Sequence, residues 1–164
     1  MVVYHGSDQE IRVPDLNYGR FNLDFGKGFY VTTFKDQAEK WAGRRALIKQ
    51  ELPVVSQYEL NTDNLLILEF DGYNEDWLDF VVKNRAGTTT NHQYDIIYGN
   101  IANDDVATVV NDYMRLLNMG RISTAGKQFF LEQLQYSKPN NQYCLVTQKS
   151  IKSLKFIKSY SVKG

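Results

Sequence analysis

Short runs of apolar residues alternate along the chain with polar stretches rich in glycine, asparagine and aspartate. These runs predict β-strands, because strands in globular proteins are short and are bounded by turn-forming residues. The predicted strands cover residues 2–4, 29–33, 54–60, 65–70, 95–99, 143–146 and 154–159. Turn-favouring residues at 61–64 separate two of these runs, so we expect 54–60 and 65–70 to pair as a hairpin.

Other segments carry apolar residues at the three- and four-residue spacing of an amphipathic helix. They are residues 36–49, a helix that Asn74 begins and Gly87 ends, a helix from Asp104 that Gly120 ends, and a helix that follows Ser123. Strands and helices are interspersed without the steady alternation of strand and helix that a parallel sheet requires. The pattern therefore predicts an α+β fold.

The length of 164 residues, at 19.0 kDa, is that of one ordinary domain, and no internal repeat or proline-rich linker divides it. We therefore expect a single domain over residues 1–164. Hydrophobic residues make up 43% of the chain, which is enough to form a buried core. Nineteen basic and nineteen acidic residues give a formal net charge of zero, so overall charge does not favour nucleic acid or an anionic membrane as a partner.

Cysteine and histidine are scarce, and Cys144, His5 and His92 are the whole set. One cysteine excludes an internal disulfide, and so few Cys and His residues predict no metal site and a reducing, cytoplasmic location. A Cys-His nucleophile from Cys144 is an alternative, although a cysteine within an apolar strand is more typical of a core. Polar residues near the start and the lack of a long apolar run predict neither a signal peptide nor a membrane partner.

Three polar stretches lie on or beside predicted strands. They are Tyr4-His5-Gly6-Ser7, the segment 24–32 with two glycines before an aromatic pair, and Asn140-Asn141-Gln142-Tyr143. Taken separately, each has an ordinary structural explanation, namely a hydrogen-bonded histidine, a tight turn and a strand-edge glutamine. The sequence lacks the phosphate-binding loop, the glycine motif of dinucleotide folds and the zinc-protease motif. It therefore does not predict a protein of any of these three classes.

In their order along the chain, the three stretches resemble the ADP-ribosyltransferase-like superfamily. His-Gly-Ser ends one strand, Gly-x-Gly-Phe-Tyr-x-Thr opens the next before a helix, and Gln-Tyr lies on a late strand. The segments 94–104 and 147–156 are similar to later blocks of a bacterial family in its His-Tyr-Glu group, the domain-of-unknown-function 3990 family. The resemblance covers most of the chain. It implies an ADP-ribosyltransferase-like fold with split, mainly antiparallel sheets and packed helices.

The resemblance also implies that NAD is the substrate and that no metal takes part. It assigns His5 to the nicotinamide-side ribose through a ring N–H, the Gly6 backbone to the carboxamide of nicotinamide, and the Tyr30 ring to a stack on nicotinamide. The predicted NAD-binding set also includes Ser7 and Arg20. Arg20 is a candidate for the diphosphate by its charge, as are Lys27, Arg44 and Arg45, although basic residues on a loop or helix face are usually just solvated. Cleavage of NAD develops positive charge on the ribose, so the pocket has to fix the ring and stabilise that charge.

Gln142 stands where the best-known members of the superfamily have a glutamate. With His5 and Tyr30 it completes the implied catalytic set, but a neutral amide neither stabilises a cation by charge nor removes a proton. Asp24 and Asp95 are the candidate carboxylates for this role. The nearly isosteric change Gln142→Glu is expected to keep the fold, and to raise NAD cleavage if a carboxylate is what the site lacks.

The resemblance therefore implies an NAD-dependent mono-ADP-ribosyltransferase that acts on a protein or nucleic-acid acceptor. A small domain of this kind would suit a bacterial toxin or effector that an antitoxin partner holds in check. Because Gln142 leaves the base unassigned, two alternatives stay open. One is a catalytically inactive module of the same fold that binds a nucleotide or nucleic acid, and the other is an NAD hydrolase in which water replaces the acceptor.

Overall fold

The computed structural model describes residues 1–88, 92–102, 104–135 and 138–162 of the protein. The strands in these ranges are β1 Val2–Ser7, β2 Phe29–Val31, β3 Val54–Leu60, β4 Ile67–Glu69, β5 Ile96–Gly99, β6 Gln142–Leu145 and β7 Leu154–Ser161. The helices are α1 Lys35–Lys49, α2 Glu75–Arg85, α3 Asp104–Asn118, α4 Thr124–Leu134 and α5 Gln148–Lys152, and a 3₁₀-helix spans Leu16–Tyr18.

Helices α2 and α4 begin at the caps that the sequence predicts. Asn74 accepts a hydrogen bond from the backbone N–H of Trp77 at 2.9 Å, and Ser123 accepts one from the N–H of Gly126 at 3.1 Å. Helix α1 starts one residue before the predicted segment 36–49 and ends with it. The apolar pattern does not reveal α5, because five residues are too few to show a helical period.

The strands form two sheets. The first has the order β1-β3-β7 and is antiparallel throughout, and the second has the order β2-β6-β5-β4 and is antiparallel apart from the parallel pair of β4 and β5. An α+β architecture with two mostly antiparallel sheets is therefore confirmed.

The predicted hairpin between β3 and the run 65–70 is wrong, because β4 pairs with β5 in the other sheet. The turn residues do form a local turn, in which Asn61 Oδ1 accepts a hydrogen bond from the N–H of Asp63 at 2.9 Å. The carboxylate of Asp95 then accepts a hydrogen bond from the N–H of Leu66 at 3.0 Å, which ties the chain beside β5. The turn residues specify the bend but not the partner of the strand that follows.

The two sheets are joined where β1 passes β2. The N–H of Tyr4 donates to the carbonyl oxygen of Thr32 at 2.8 Å, and the N–H of Thr32 donates back to that of Tyr4 at 3.0 Å. The Thr32 hydroxyl also donates to the side-chain oxygen of Asn141, next to β6, at 2.9 Å. This bridge is an isolated pair, so β1 and β2 separate beyond it.

Buried apolar residues fill the space on both sides of the second sheet. Helices α2, α3 and α4 pack on one face around Trp77 and Val110, and the first sheet packs on the other around Val3 and Tyr58. Helix α1 covers the outer face of the first sheet with its alanines, near Val55. No helix within the described ranges is both long and apolar enough to cross a membrane.

Candidate functional site

A cavity of about 840 Å³ opens between β1, β2, the loop that joins them and the second half of α1. It is lined by all six residues of the predicted site, namely His5, Gly6, Ser7, Arg20, Tyr30 and Gln142. Pockets that hold small molecules commonly have volumes of about 300–1,000 Å³. The roles of the six residues in this cavity stay predictions.

His5 lies at the point where β1 and β2 separate, with its ring stacked on Phe29 at a centroid distance of 4.3 Å. Its Nδ1 is 2.7 Å from the backbone oxygen of Tyr30, which can only accept, so Nδ1 carries the hydrogen. Burial lowers the pKa of His5 to about 4, against the opposing effect of the Tyr30 carbonyl, and the ring is neutral at pH 7. A ribose hydroxyl would therefore donate to Nε2 rather than accept from a ring N–H.

Gly6 lies in β1, where α1 packs closely against it and the strand determines the direction of its backbone N–H and C=O. A Cβ here would overlap the carbonyl oxygen of Ala38 and crowd the backbone nitrogen of Ala42, so only glycine lets α1 lie against β1. The backbone N–H and C=O of Tyr4 are hydrogen-bonded to Thr32 and so point away from β3. Backbone groups point in the same direction at every second residue of a strand. The Gly6 N–H and C=O therefore point away from β3, as one donor and one acceptor side by side.

Tyr30 lines the cavity, and the preceding turn holds its hydroxyl. This hydroxyl donates to the carbonyl oxygen of Gly26 at 2.6 Å and accepts a hydrogen bond from the N–H of Phe25 at 3.2 Å. Gly26 has a φ of 78°, the left-handed region in which glycine is favoured. Burial raises the pKa of the Tyr30 hydroxyl well above its ordinary value. Tyr30 thus offers a fixed, neutral ring and neither an acid nor a base.

Gln142 is buried at the start of β6 and reaches the cavity wall. Its Nε2 donates to Oδ2 of Asp24 at 3.2 Å and to the backbone oxygen of Asn100 at 3.3 Å. These two bonds use both amide hydrogens and leave Oε1 to accept a hydrogen bond from a ligand.

An ion pair between Asp24 and Arg85 lies beside Gln142. Nε and Nη2 of Arg85 are 2.9 and 2.8 Å from Oδ1 of Asp24, and the N–H of Ala102 donates to Oδ2 at 2.8 Å. The side chains of Arg85 and Asp24 are only 17% and 14% exposed. The sequence marks Asp24 as a candidate but gives no signal for Arg85, because the two residues are 61 positions apart and meet only in the folded chain.

Basic residues from the second half of α1 also line the cavity. Arg45 and Lys49 pair with Asp8 at 3.7 and 2.5 Å, and the Ser7 hydroxyl donates to the same carboxylate at 3.1 Å. Burial acts to raise the pKa of Asp8, but its hydrogen bonds, first that from Lys49, hold it below the ordinary value. Arg20 is exposed at the rim of the cavity.

Residues 1–156 match one family model, which is described as a protein of unknown function, DUF3990. The chain belongs to the DUF3990 family. Comparison with curated proteins and with solved structures gave no match. The DUF3990 description assigns no activity, so the geometry of the cavity carries the functional argument.

Asp95, the second candidate carboxylate of the DUF3990 chain, lies outside the cavity. It accepts hydrogen bonds from the N–H of Leu66 at 3.0 Å and from the hydroxyl of Thr147 at 2.7 Å. The bond from Thr147 is the main cause that lowers the pKa of this carboxyl. Asp95 therefore joins the loop before β4 to the start of α5 and has no place beside the proposed ligand.

The environment of Cys144 disfavours the Cys-His alternative. Burial raises the pKa of its thiol to about 12, and a thiol that stays protonated is a weak nucleophile. His5 is bonded to Tyr30, and His92 lines a separate cavity of about 120 Å³. Across the described ranges, no three His, Cys, Asp or Glu side chains form a cluster that could bind a metal ion. Metal independence of the DUF3990 protein stays a prediction.

Proposed function

We propose that the chain is an ADP-ribosyltransferase-like domain that binds NAD, transfers one ADP-ribose unit to a macromolecular acceptor and releases nicotinamide. One observation carries the proposal: His5, Gly6, Tyr30 and Gln142 line a single cavity although they come from three strands in two different sheets. The resemblance names these residues from their order in the sequence, and their shared cavity supports the proposal.

The nicotinamide end of NAD fits the part of the cavity between β1 and β2. A primary carboxamide has one acceptor oxygen and a donor NH₂ group, which complement the N–H and C=O of Gly6. The ring of Tyr30 is held in place by its hydroxyl and offers a face for stacking. Both groups are neutral, so they hold the ring by shape and hydrogen bonds.

The adjoining ribose fits between two acceptors. Nε2 of His5 and Oε1 of Gln142 can each accept a hydrogen bond from a ribose hydroxyl. Acceptors stabilise a sugar that gains positive charge better than donors do, because their partial negative charge faces it. Arg20 and Arg45 supply positive charge for the diphosphate.

In the proposed reaction, the bond between ribose C1 and the nicotinamide nitrogen breaks and its electron pair stays with nicotinamide. The nucleophilic atom of the acceptor forms the new bond to the same carbon and releases its proton to solvent. The proposal assigns no protein base, which suits an acceptor that brings its own reactive lone pair. Transfer of a single unit follows, because chain growth would need a base to activate a ribose hydroxyl.

Exposed apolar residues flank the mouth of the cavity. Val13, Tyr18 and Ile48 line it and are 81%, 87% and 81% exposed. The proposed occupant of this mouth is the protein or nucleic-acid acceptor, or an antitoxin partner if the protein is a bacterial toxin or effector.

The proposal is tested with NAD labelled in its adenosine half, incubated with the purified protein alone and with bacterial lysate. We expect nicotinamide release and a labelled macromolecule when lysate is present. Free ADP-ribose without an adduct would instead indicate the NAD hydrolase, and binding by calorimetry without cleavage would indicate the inactive module. No binding at millimolar NAD would contradict the proposal. Phe129→Ala, an exposed change on α4 away from the cavity, serves as the control.

A further inference from the structure

We infer that Asp24 is a positioning residue that keeps the Gln142 amide oxygen directed to the ligand. The inference rests on the proposed function for the identity of that ligand, NAD. The contacts that carry it are those among Asp24, Gln142, Asn100 and Arg85.

Two acceptors determine the direction of the Gln142 amide. Oδ2 of Asp24 and the backbone oxygen of Asn100 lie 3.2 and 3.3 Å from Nε2. Neither atom carries a hydrogen, so turning the amide over would place Oε1 against both oxygens and lose both hydrogen bonds. The amide is therefore held in one orientation, with Oε1 on the side opposite these two acceptors.

Asp24 is fixed in turn by hydrogen bonds to both of its oxygens. Oδ1 accepts from Nε of Arg85 and lies 2.8 Å from Nη2, and Oδ2 accepts from the N–H of Ala102 and from Gln142. These contacts engage both oxygens of the carboxylate, which suits Asp24 to orienting Gln142 rather than to acting as a general base.

This arrangement explains why the chain has an amide at position 142. A carboxylate there would face the carboxylate of Asp24 and the carbonyl oxygen of Asn100 with nothing to donate to either. Two carboxylates in contact cannot both ionise at their ordinary pKa, so the pKa of an introduced glutamate would rise. The contacts thus favour a loss of stability for Gln142→Glu, although the two side chains have nearly the same shape.

The first test needs no ligand and compares thermal unfolding of the parent, Gln142→Glu and the double variant Asp24→Asn/Gln142→Glu. At about pH 8 we expect Gln142→Glu to melt below the parent. The gap should close toward about pH 4, because a raised pKa in the folded state removes the penalty once the glutamate is protonated. The double variant should recover much of the loss at about pH 8, since the introduced asparagine can donate to the introduced glutamate.

The second test measures NAD affinity by calorimetry. Asp24→Asn frees the amide to turn over, and we expect its dissociation constant for NAD to rise about tenfold or more. Asp95→Asn is the matched control, because Asp95 is also buried and hydrogen-bonded but lies outside the cavity. It should lose stability and keep the parent's NAD affinity.

Three outcomes would overturn the inference. They are a Gln142→Glu protein as stable as the parent at about pH 8, a stability gap that does not change with pH, and an Asp24→Asn protein that binds NAD like the parent. A parent that does not bind NAD would instead refute the proposed function. The thermal unfolding test would then still decide whether Asp24 fixes the Gln142 amide. If Asp24→Asn fails to fold, the comparison of Gln142→Glu with the parent decides it.

Discussion

Burial of the His5 ring links the stability of the protein to pH. The pKa of His5 is about 4 in the folded protein, against an ordinary value of 6.5 in an unfolded chain. Between these values only the unfolded chain takes up the proton, so the folded state loses stability as pH falls. His5→Gln keeps a donor for the Tyr30 carbonyl but does not titrate. We expect the parent's advantage over His5→Gln to shrink by roughly 3 kcal/mol from about pH 7 to about pH 4.

Urea unfolding of both proteins at several pH values measures this difference. Carboxylates with lowered pKa, such as Asp8 and Asp95, also make the protein sensitive to acid, but they are present in both proteins and cancel in the comparison. A difference that stays constant across the range would show that His5 does not titrate as its burial implies.

Two substitutions at Tyr30 distinguish the contribution of its ring from that of its hydroxyl. Tyr30→Ala removes the stacking face, and we expect NAD binding to weaken by about 1–3 kcal/mol. Tyr30→Phe keeps the ring, so NAD affinity should stay near that of the parent while stability falls by about 0.5–1.5 kcal/mol with the lost hydrogen bonds. Calorimetry gives the affinities and urea unfolding the stabilities. An unchanged dissociation constant for Tyr30→Ala would count against the stack.

The packing of α1 on β1 depends on Gly6. In Gly6→Ala the new methyl group would overlap the backbone of α1, which cannot rotate away as a side chain can, so we expect a loss of about 1–3 kcal/mol or more. Gly43→Ala, a substitution within α1 itself, is the control. Its Cβ would meet nothing within 4 Å, and alanine should stabilise the helix by up to about 1 kcal/mol. Equal stability of the two variants would contradict this account.

Local sequence signals predict where elements begin better than they predict how strands pair. Asn74 and Ser123 mark helix starts because a cap involves atoms only two or three residues away. The partner of β4 is β5, about thirty positions later, and Asp95 accepts a hydrogen bond from Leu66 where the two strands begin to pair. No pattern within residues 61–70 contains that information, so the hairpin expectation fails there.

At the scale of the whole molecule, the cavity lies between two sheets and takes residues from both. His5 and Gly6 belong to the first sheet, and Tyr30 and Gln142 belong to the second. Their order in the sequence, through the family resemblance, predicts this set, and the roles of its members stay predictions. Arg85 and the hydrogen bonds that orient Gln142 depend on tertiary contacts that no sequence spacing displays.

A ligand that contacts both sheets should protect both from hydrogen exchange. At a concentration of about 100 times its dissociation constant, NAD would add about 2.7 kcal/mol to the stability of the folded state. We expect slower exchange in peptides from β1 and from β2, measured by mass spectrometry with and without NAD. Protection confined to one sheet would show that the ligand does not bridge them.

The buried thiol of Cys144 allows the rate at which the folded protein opens to be measured. It is the one cysteine of the chain, it is fully buried in β6, and its raised pKa keeps it unreactive. Alkylation by iodoacetamide therefore has to wait until the packing around the thiol, which includes Phe25 and Gly28, opens or the chain unfolds. The rate of mass increase should follow the frequency of these openings, and a ligand bound in the cavity should slow it. Immediate modification of the folded protein would show that this packing opens far more often than the burial of the thiol implies.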